Sequence, residues 1–101
     1  MLKAQINKHL AGFYFLENNM NETISANLAQ YIAARILKQP KRAIAMDEKL
    51  ISSGLIDSFS LVDLSIYVEE AFGVRIDDTE LNADTFDTLA ELTGLVSQRQ
   101  A

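Results

Sequence analysis

Asp57 and Ser58 are the residues of this chain whose types and position could do chemistry. They stand directly before a helical pattern that begins at Phe59 and closes at Phe72 and Gly73. A serine at the start of a helix sits where unpaired backbone N–H groups and the positive end of the helix dipole gather. A phosphodiester formed on its hydroxyl would be well placed there. Asp and Ser are also ordinary helix caps, so the dipeptide alone leaves capping and chemistry both open. Catalysis by Ser58 itself would need a neighbouring base, and the single histidine, His9, lies in the N-terminal segment. No metal-ligand set or phosphate-cradling glycine loop accompanies it, so the chain is expected not to be an enzyme.

The elements that must position Ser58 are helical. A first helix is expected from Glu22 to Lys38, where Ile24, Leu28, Tyr31, Ile32 and Ile36 recur at helical spacing and Pro40 ends the pattern. A long loop from Pro40 to Asp57 must then be pinned, with Ile44, Leu50 and Leu55 as its anchors. Gly54 lets the backbone turn tightly before the serine. The second helix carries two apolar stripes. Leu61, Leu64, Val68 and Phe72 form the core set, and Phe59, Val62 and Ile66 form a second set flanked by Asp63, Glu69 and Glu70. Apolar residues ringed by acid suit a docking surface, although packing against another helix would explain them too. After Gly73 a short helix is expected at Asp77 to Leu81, with Ile76, Leu81 and Phe86 facing inward. A fourth helix is expected after Asp87 as its N-cap, burying Leu89, Leu92 and Val96.

Gly54-Leu55-Ile56-Asp57-Ser58-Phe59, followed by Glu69-Glu70-Ala71-Phe72-Gly73, resembles the acyl carrier protein family over residues 22 to 97. That resemblance implies an all-α bundle of three main helices plus one short helix, with a long loop between helices one and two. It implies 4'-phosphopantetheine, donated by coenzyme A and attached to Ser58, whose thiol holds acyl or aminoacyl groups as thioesters. Asp57 matches the aspartate that helps a phosphopantetheinyl transferase place metal-bound coenzyme A. Phe59 stands where leucine is commoner, and Ser60 and Leu61 stand where fatty acid carriers often place an acid. These departures point toward a specialised pathway as readily as toward fatty acid synthesis. The resemblance also implies that an acyl chain can shelter between helices two and three, with Leu64, Val68, Ile76, Leu81 and Phe86 as candidate lining. Core packing explains those five residues equally well.

Composition agrees with one domain. A chain of 101 residues, 49% of them hydrophobic, buries one small core. It has no cysteine, which excludes disulfides and thiolate metal sites, and no apolar run long enough to span a bilayer. From Ile51 onward ten acids face only Arg75 and Arg99, whereas the first half is net positive. Such a field repels nucleic acid and favours partner enzymes with basic docking patches; the resemblance implies that these are the transferase, an acyl or aminoacyl ligase or transferase, and later biosynthetic enzymes. Arg35, Lys38, Lys41 and Arg42 complement the C-terminal end of the first helix and need no nucleic-acid explanation. The acids from Asp77 to Asp87 alternate as in a calcium loop. A loop starting at Asp78, however, puts Ala83 where glycine is needed and Leu89 where the bidentate glutamate must stand.

The carrier domain is expected over residues 21–98, as a cytoplasmic monomer. Residues 1–20 are either an upstream extension or an additional amphipathic helix using Ile6, Leu10, Phe13 and Leu16. Cargo stays open between acyl, D-alanyl or other aminoacyl, and peptidyl groups, and so does an unmodified helical adaptor.

Overall fold

A computed structural model describes residues 22–100, and the expectations placed on residues 1–20 lie outside them. Helix α1 covers residues 22–31 and continues into a wider π-helical turn, Ile32–Ile36. Helix α2 spans Ser58–Phe72, a single 3-10 turn covers Asp78–Glu80, and helix α3 spans Leu89–Gln100. Among the described residues there is no strand; the only β-type pairing is an isolated antiparallel bridge between Lys49 and Thr88. The all-α bundle is as expected, and the short third helix, expected as a single turn, is a 3-10 turn with Asp77 as its N-cap.

One core unites the three helices. Ile24, Leu28, Ile32 and Ala33 of α1 meet Leu61, Leu64 and Val68 of α2 and Leu89, Leu92 and Val96 of α3, all buried. Val74, Ile76 and Phe86 close it from the segment between α2 and α3. Phe72 and Leu81, expected inside, are only half-buried. Each lies at the end of its element, where the chain turns away from the core.

The end of α1 differs from the expected straight run to Lys38. The Leu37 N–H donates to Ile32 O at 2.9 Å and the Gln39 N–H to Ala33 O at 2.7 Å, which closes a wide last turn. A π turn holds more residues than an α turn, so a position four beyond Ile32 no longer falls on the stripe. Ala33 is accordingly buried, while Ile36 is half-buried. Lys38 then takes the left-handed conformation, φ 59°, and Pro40 follows two residues later, where it cannot continue a helix.

The loop between α1 and α2 is held at both ends and in the middle. An Arg42–Glu48 ion pair and the Ala45 N–H bond to Glu48 Oε1 fold its first part. Ile44 and Leu50 are buried as expected, but the third anchor is Ile56, because Leu55 is only half-buried. The residues flanking the turn alternate in direction, so the one next to the cap of α2 points inward. Gly54 adopts φ +80°, a left-handed conformation that favours glycine.

Asp87 is not the N-cap of α3. That role falls to Thr88, whose Oγ1 accepts the Glu91 N–H at 3.1 Å, while Glu91 Oε1 accepts the N–H groups of Asp87 at 2.7 Å and Thr88 at 3.3 Å. This is a reciprocal Thr-x-x-Glu capping box. The freed carboxylate of Asp87 reaches the loop instead. Its Oδ1 accepts the N–H groups of Ile51 at 2.8 Å and Ser52 at 2.9 Å, and its Oδ2 accepts the Ser52 hydroxyl at 2.5 Å. The Leu50 N–H donates to Asp87 O at 2.6 Å, and the Ala90 N–H to Met46 O at 2.9 Å.

These bonds, those of the Ser52 side chain foremost, hold the Asp87 carboxyl down at about 2. A carboxyl depressed in the folded state stabilises the fold fully above the ordinary aspartate range and loses that contribution as pH falls through about 2. Glu80, paired with Arg99, is held down to about 2 as well and acts in the same window. Acid titration of stability, followed by helical circular dichroism, should therefore fall steeply between about pH 4 and pH 2. Asp87→Asn should flatten part of that slope, and Glu80→Gln a separate part.

Candidate functional site

Ser58 is the first residue of α2 and is exposed. Two local devices start the helix there. Asp57, in extended conformation, is the N-cap: its Oδ1 accepts the Ser60 N–H at 2.8 Å, and its carbonyl accepts the Leu61 N–H at 2.9 Å. The residue before the cap, Ile56, and the fourth residue of the helix, Leu61, are both buried in the same core, the pattern of a hydrophobic staple. The Ile56 N–H donates to Leu50 O at 2.9 Å, which ties the staple back to the loop. At the far end Gly73 takes φ 68° and its N–H donates to Glu69 O, a left-handed C-cap.

The Ser60 N–H, and after it the Ser60 side chain, hold the Asp57 carboxyl below its usual range. The carboxylate is therefore turned onto the helix and keeps its negative charge at the positive end of the dipole. Among the described residues no hydrogen bond engages the Ser58 hydroxyl, which stands open to solvent one residue beyond the cap. A phosphodiester on that oxygen fits the place: no described residue covers it, and the N–H groups of the first turn lie beside it.

The remaining candidate residues fall into two groups. Phe59, Val62 and Ile66 are 86%, 44% and 50% exposed, so among the described residues nothing covers the second stripe of α2. Asp63, Glu69 and Glu70 are exposed beside it. Neither end turn carries the charge that would favour the helix dipole: the first turn has no acid and the last has no base. Glu69 and Glu70 instead sit near the negative end, where acids disfavour the helix. Leu64, Val68, Ile76 and Phe86, by contrast, are buried in the closed core, with Leu81 half-buried at its edge.

Two features were not foreseen from the sequence. Tyr31 and Tyr67 stack across α1 and α2 with ring centroids 4.2 Å apart and planes within 10°. Burial, and in Tyr31 also the nearby Asp63, raises their hydroxyl pKa values. The stack borders a groove of about 240 Å³ lined by Arg35, Asp63, Ile66 and Glu70. Met46 is the second feature: it is exposed in the loop and borders a mostly apolar groove with Ala90, Thr93 and Gly94 of α3.

Residues 28–96 fit the family model described as a phosphopantetheine attachment site. The chain belongs to the acyl carrier protein family. It is 31% identical over 81 residues to an acyl carrier protein of Renibacterium salmoninarum, an alignment covering 80% of this chain and 96% of that protein. It is 29% identical over 55 residues to D-alanyl carrier proteins of Streptococcus pyogenes serotypes M5 and M49, covering 54% of this chain and 70% of each. The cofactor of the family is covalently bound 4'-phosphopantetheine, and its members are carriers and not catalysts. They work with a phosphopantetheinyl transferase and with biosynthetic enzymes. Among the described residues no helix is long and apolar enough to cross a membrane.

The cap geometry carries a direct consequence. Asp57→Ala removes the acceptor of the Ser60 N–H and should lower the urea midpoint of unfolding, whereas Asp57→Asn, which still offers an oxygen, should retain most of it.

Proposed function

We propose that this carrier holds acyl intermediates as thioesters on an arm attached to Ser58, and delivers them to enzymes of fatty acid, polyketide or specialised lipid biosynthesis. The exposure of the Ser58 hydroxyl at the capped start of α2 is the observation that supports the attachment point most strongly. When bound, the arm supplies a terminal thiol that bonds the cargo as a thioester. The protein's own part is to offer the serine oxygen, which gives up its proton and displaces the adenosine bisphosphate half of coenzyme A as the phosphodiester forms, and to hold that oxygen at a defined helix terminus. Asp57 keeps the first turn closed, and by resemblance it also helps the transferase place metal-bound coenzyme A. Tethering raises the effective concentration of cargo at each docked enzyme.

Partners would dock on Phe59, Val62 and Ile66 with Asp63, Glu69 and Glu70 around them. The apolar centre supplies contact energy, and the acids guide a basic patch into register. Acids retained near the negative end of α2, where they do not help the helix, support this reading over a merely solvated face. A shelter for the acyl chain would open among Leu64, Val68, Ile76, Leu81 and Phe86 by separating α2 from the segment after it. The working unit would be residues 21–98, with residues 1–20 as an extension, acting as a monomer in the cytoplasm.

The similarity to D-alanyl carrier proteins favours a second cargo class, an aminoacyl group loaded by an adenylating ligase. Which ligase or acyltransferase charges the thiol separates the two.

Intact mass after incubation with coenzyme A, magnesium and a broad-specificity phosphopantetheinyl transferase tests the attachment point. The parent protein should gain one phosphopantetheinyl unit, while Ser58→Ala should fold and gain none. A gain in Ser58→Ala would move the site elsewhere. No gain in the parent with two transferases would leave an unmodified adaptor. On the modified protein, Phe59→Ala should weaken binding to a loading or downstream enzyme about fivefold or more, with thermal stability unchanged.

A further inference from the structure

We infer that Asp87, about thirty residues after Ser58 and on a different element, is a positioning residue for modification at Ser58. The inference rests on Ser58 being the attachment point. Asp87 touches neither Ser58 nor any group that would react there; it acts through the chain that leads into α2.

The connection can be followed bond by bond. The capping box of Thr88 and Glu91 fixes the backbone at Asp87 by taking the N–H groups of Asp87 and Thr88 onto one glutamate oxygen. From that fixed point the Asp87 carboxylate accepts three bonds from Ile51 and Ser52, and its carbonyl accepts a fourth from Leu50. Leu50 in turn accepts the Ile56 N–H through its own carbonyl. Ile56 is the buried residue immediately before the cap, so its placement sets the direction in which the chain enters α2.

Remove the carboxylate, and two backbone N–H groups and a hydroxyl in the loop lose their shared partner together. The loop then keeps its backbone bonds to Asp87 and from Ala90, and Ile44, Leu50 and Ile56 in the core, but the stretch between Leu50 and Ile56 loses the side-chain anchor that fixes its path into the staple. The first turn of α2 lacks an acid and has one side-chain cap, so it is the part of that helix most ready to fray. Ser58 lies in that turn. Fraying would move the hydroxyl, and Phe59 next to it, relative to the rest of the docking face, which Val62 and Ile66 hold one and two turns further on.

This separation gives the inference its signature. Loss of Asp87 should lower kcat for transfer of the arm and leave KM for the carrier nearly unchanged. A general loss of stability would not separate the two in this way. The tests are Asp87→Ala, Asp87→Asn and, as a control for stability alone, Val96→Ala, which opens a gap in the buried face of α3 away from the loop. Asn keeps an oxygen for the Ile51 and Ser52 N–H groups and can donate to the Ser52 hydroxyl, so it is the conservative variant.

Steady-state phosphopantetheinylation of each full-length protein, under conditions where circular dichroism shows all of them folded, gives the result. Asp87→Ala should lose about tenfold or more in kcat with KM within about twofold of the parent, while Asp87→Asn recovers most of the rate and Val96→Ala matches the parent. Parent kcat in Asp87→Ala, equal slowing in Asp87→Ala and Val96→Ala, or a rise in KM in place of the fall in kcat would overturn it. Should Asp87→Ala not fold, Ser52→Ala, which removes only one of the three bonds, decides the matter: a fall in kcat at constant KM supports the inference and an unchanged kcat refutes it. Failure of the attachment reading would be seen separately, as a parent protein that takes up no arm.

Discussion

A single carboxylate at the mouth of α3 anchors the longest irregular segment among the described residues. About twenty residues separate α1 from α2, too many to be ordered by the two helices they join. Their backbone groups need partners, and their apolar side chains need a fixed path into the core. Asp87 meets the first need at Ile51 and Ser52, and the burial of Ile44, Leu50 and Ile56 meets the second. The isolated bridge between Lys49 and Thr88 and the bond from Ala90 to Met46 extend the same seam. The loop is thus docked along the start of α3, and α2 begins where that docking delivers the chain.

The bundle divides its labour by face. Leu61, Leu64 and Val68 turn α2 inward and leave Phe59, Val62 and Ile66 outside, so the helix that bears Ser58 also presents an uncovered apolar strip. Burying that strip would add to stability, and basic residues in the last turn would suit the dipole better than Glu69 and Glu70. The helix keeps neither advantage. On the docking role proposed above, an exposed strip edged with acid would allow repeated encounter with basic partners. The inward face and the Tyr31–Tyr67 stack keep the helix seated on α1 while its outer face remains free.

Much of this was legible in the sequence, and for identifiable reasons. Ser58–Phe72 could be read to within a residue because an aspartate cap, two apolar stripes and a terminal glycine all agree on one helix. The end of α1 could not, because a π turn leaves the hydrophobic spacing almost intact while shifting Ile36 off the stripe. Asp87 was misread as a cap since Asp is a good one. The decisive sign lay one residue on, where Thr88 stands three residues before Glu91 and completes a capping box. The partnership of Asp87 with Ser52 spans 35 residues and has no local signature at all. Leu55 and Ile56 were exchanged as anchors for a related reason: in a loop without a period, apolar type does not say which neighbour points inward.

The claim that most of this account rests on is that the loop and the start of α2 are one cooperative unit with the core. Native-state hydrogen exchange measures it directly. The amides of Leu50, Ile51, Ser52 and Ile56 should exchange only with global unfolding, at the same free energy as core amides of α2 such as that of Leu64. Exchange of those four amides by local opening, at rates near those of an unstructured peptide while Leu64 stays protected, would contradict it.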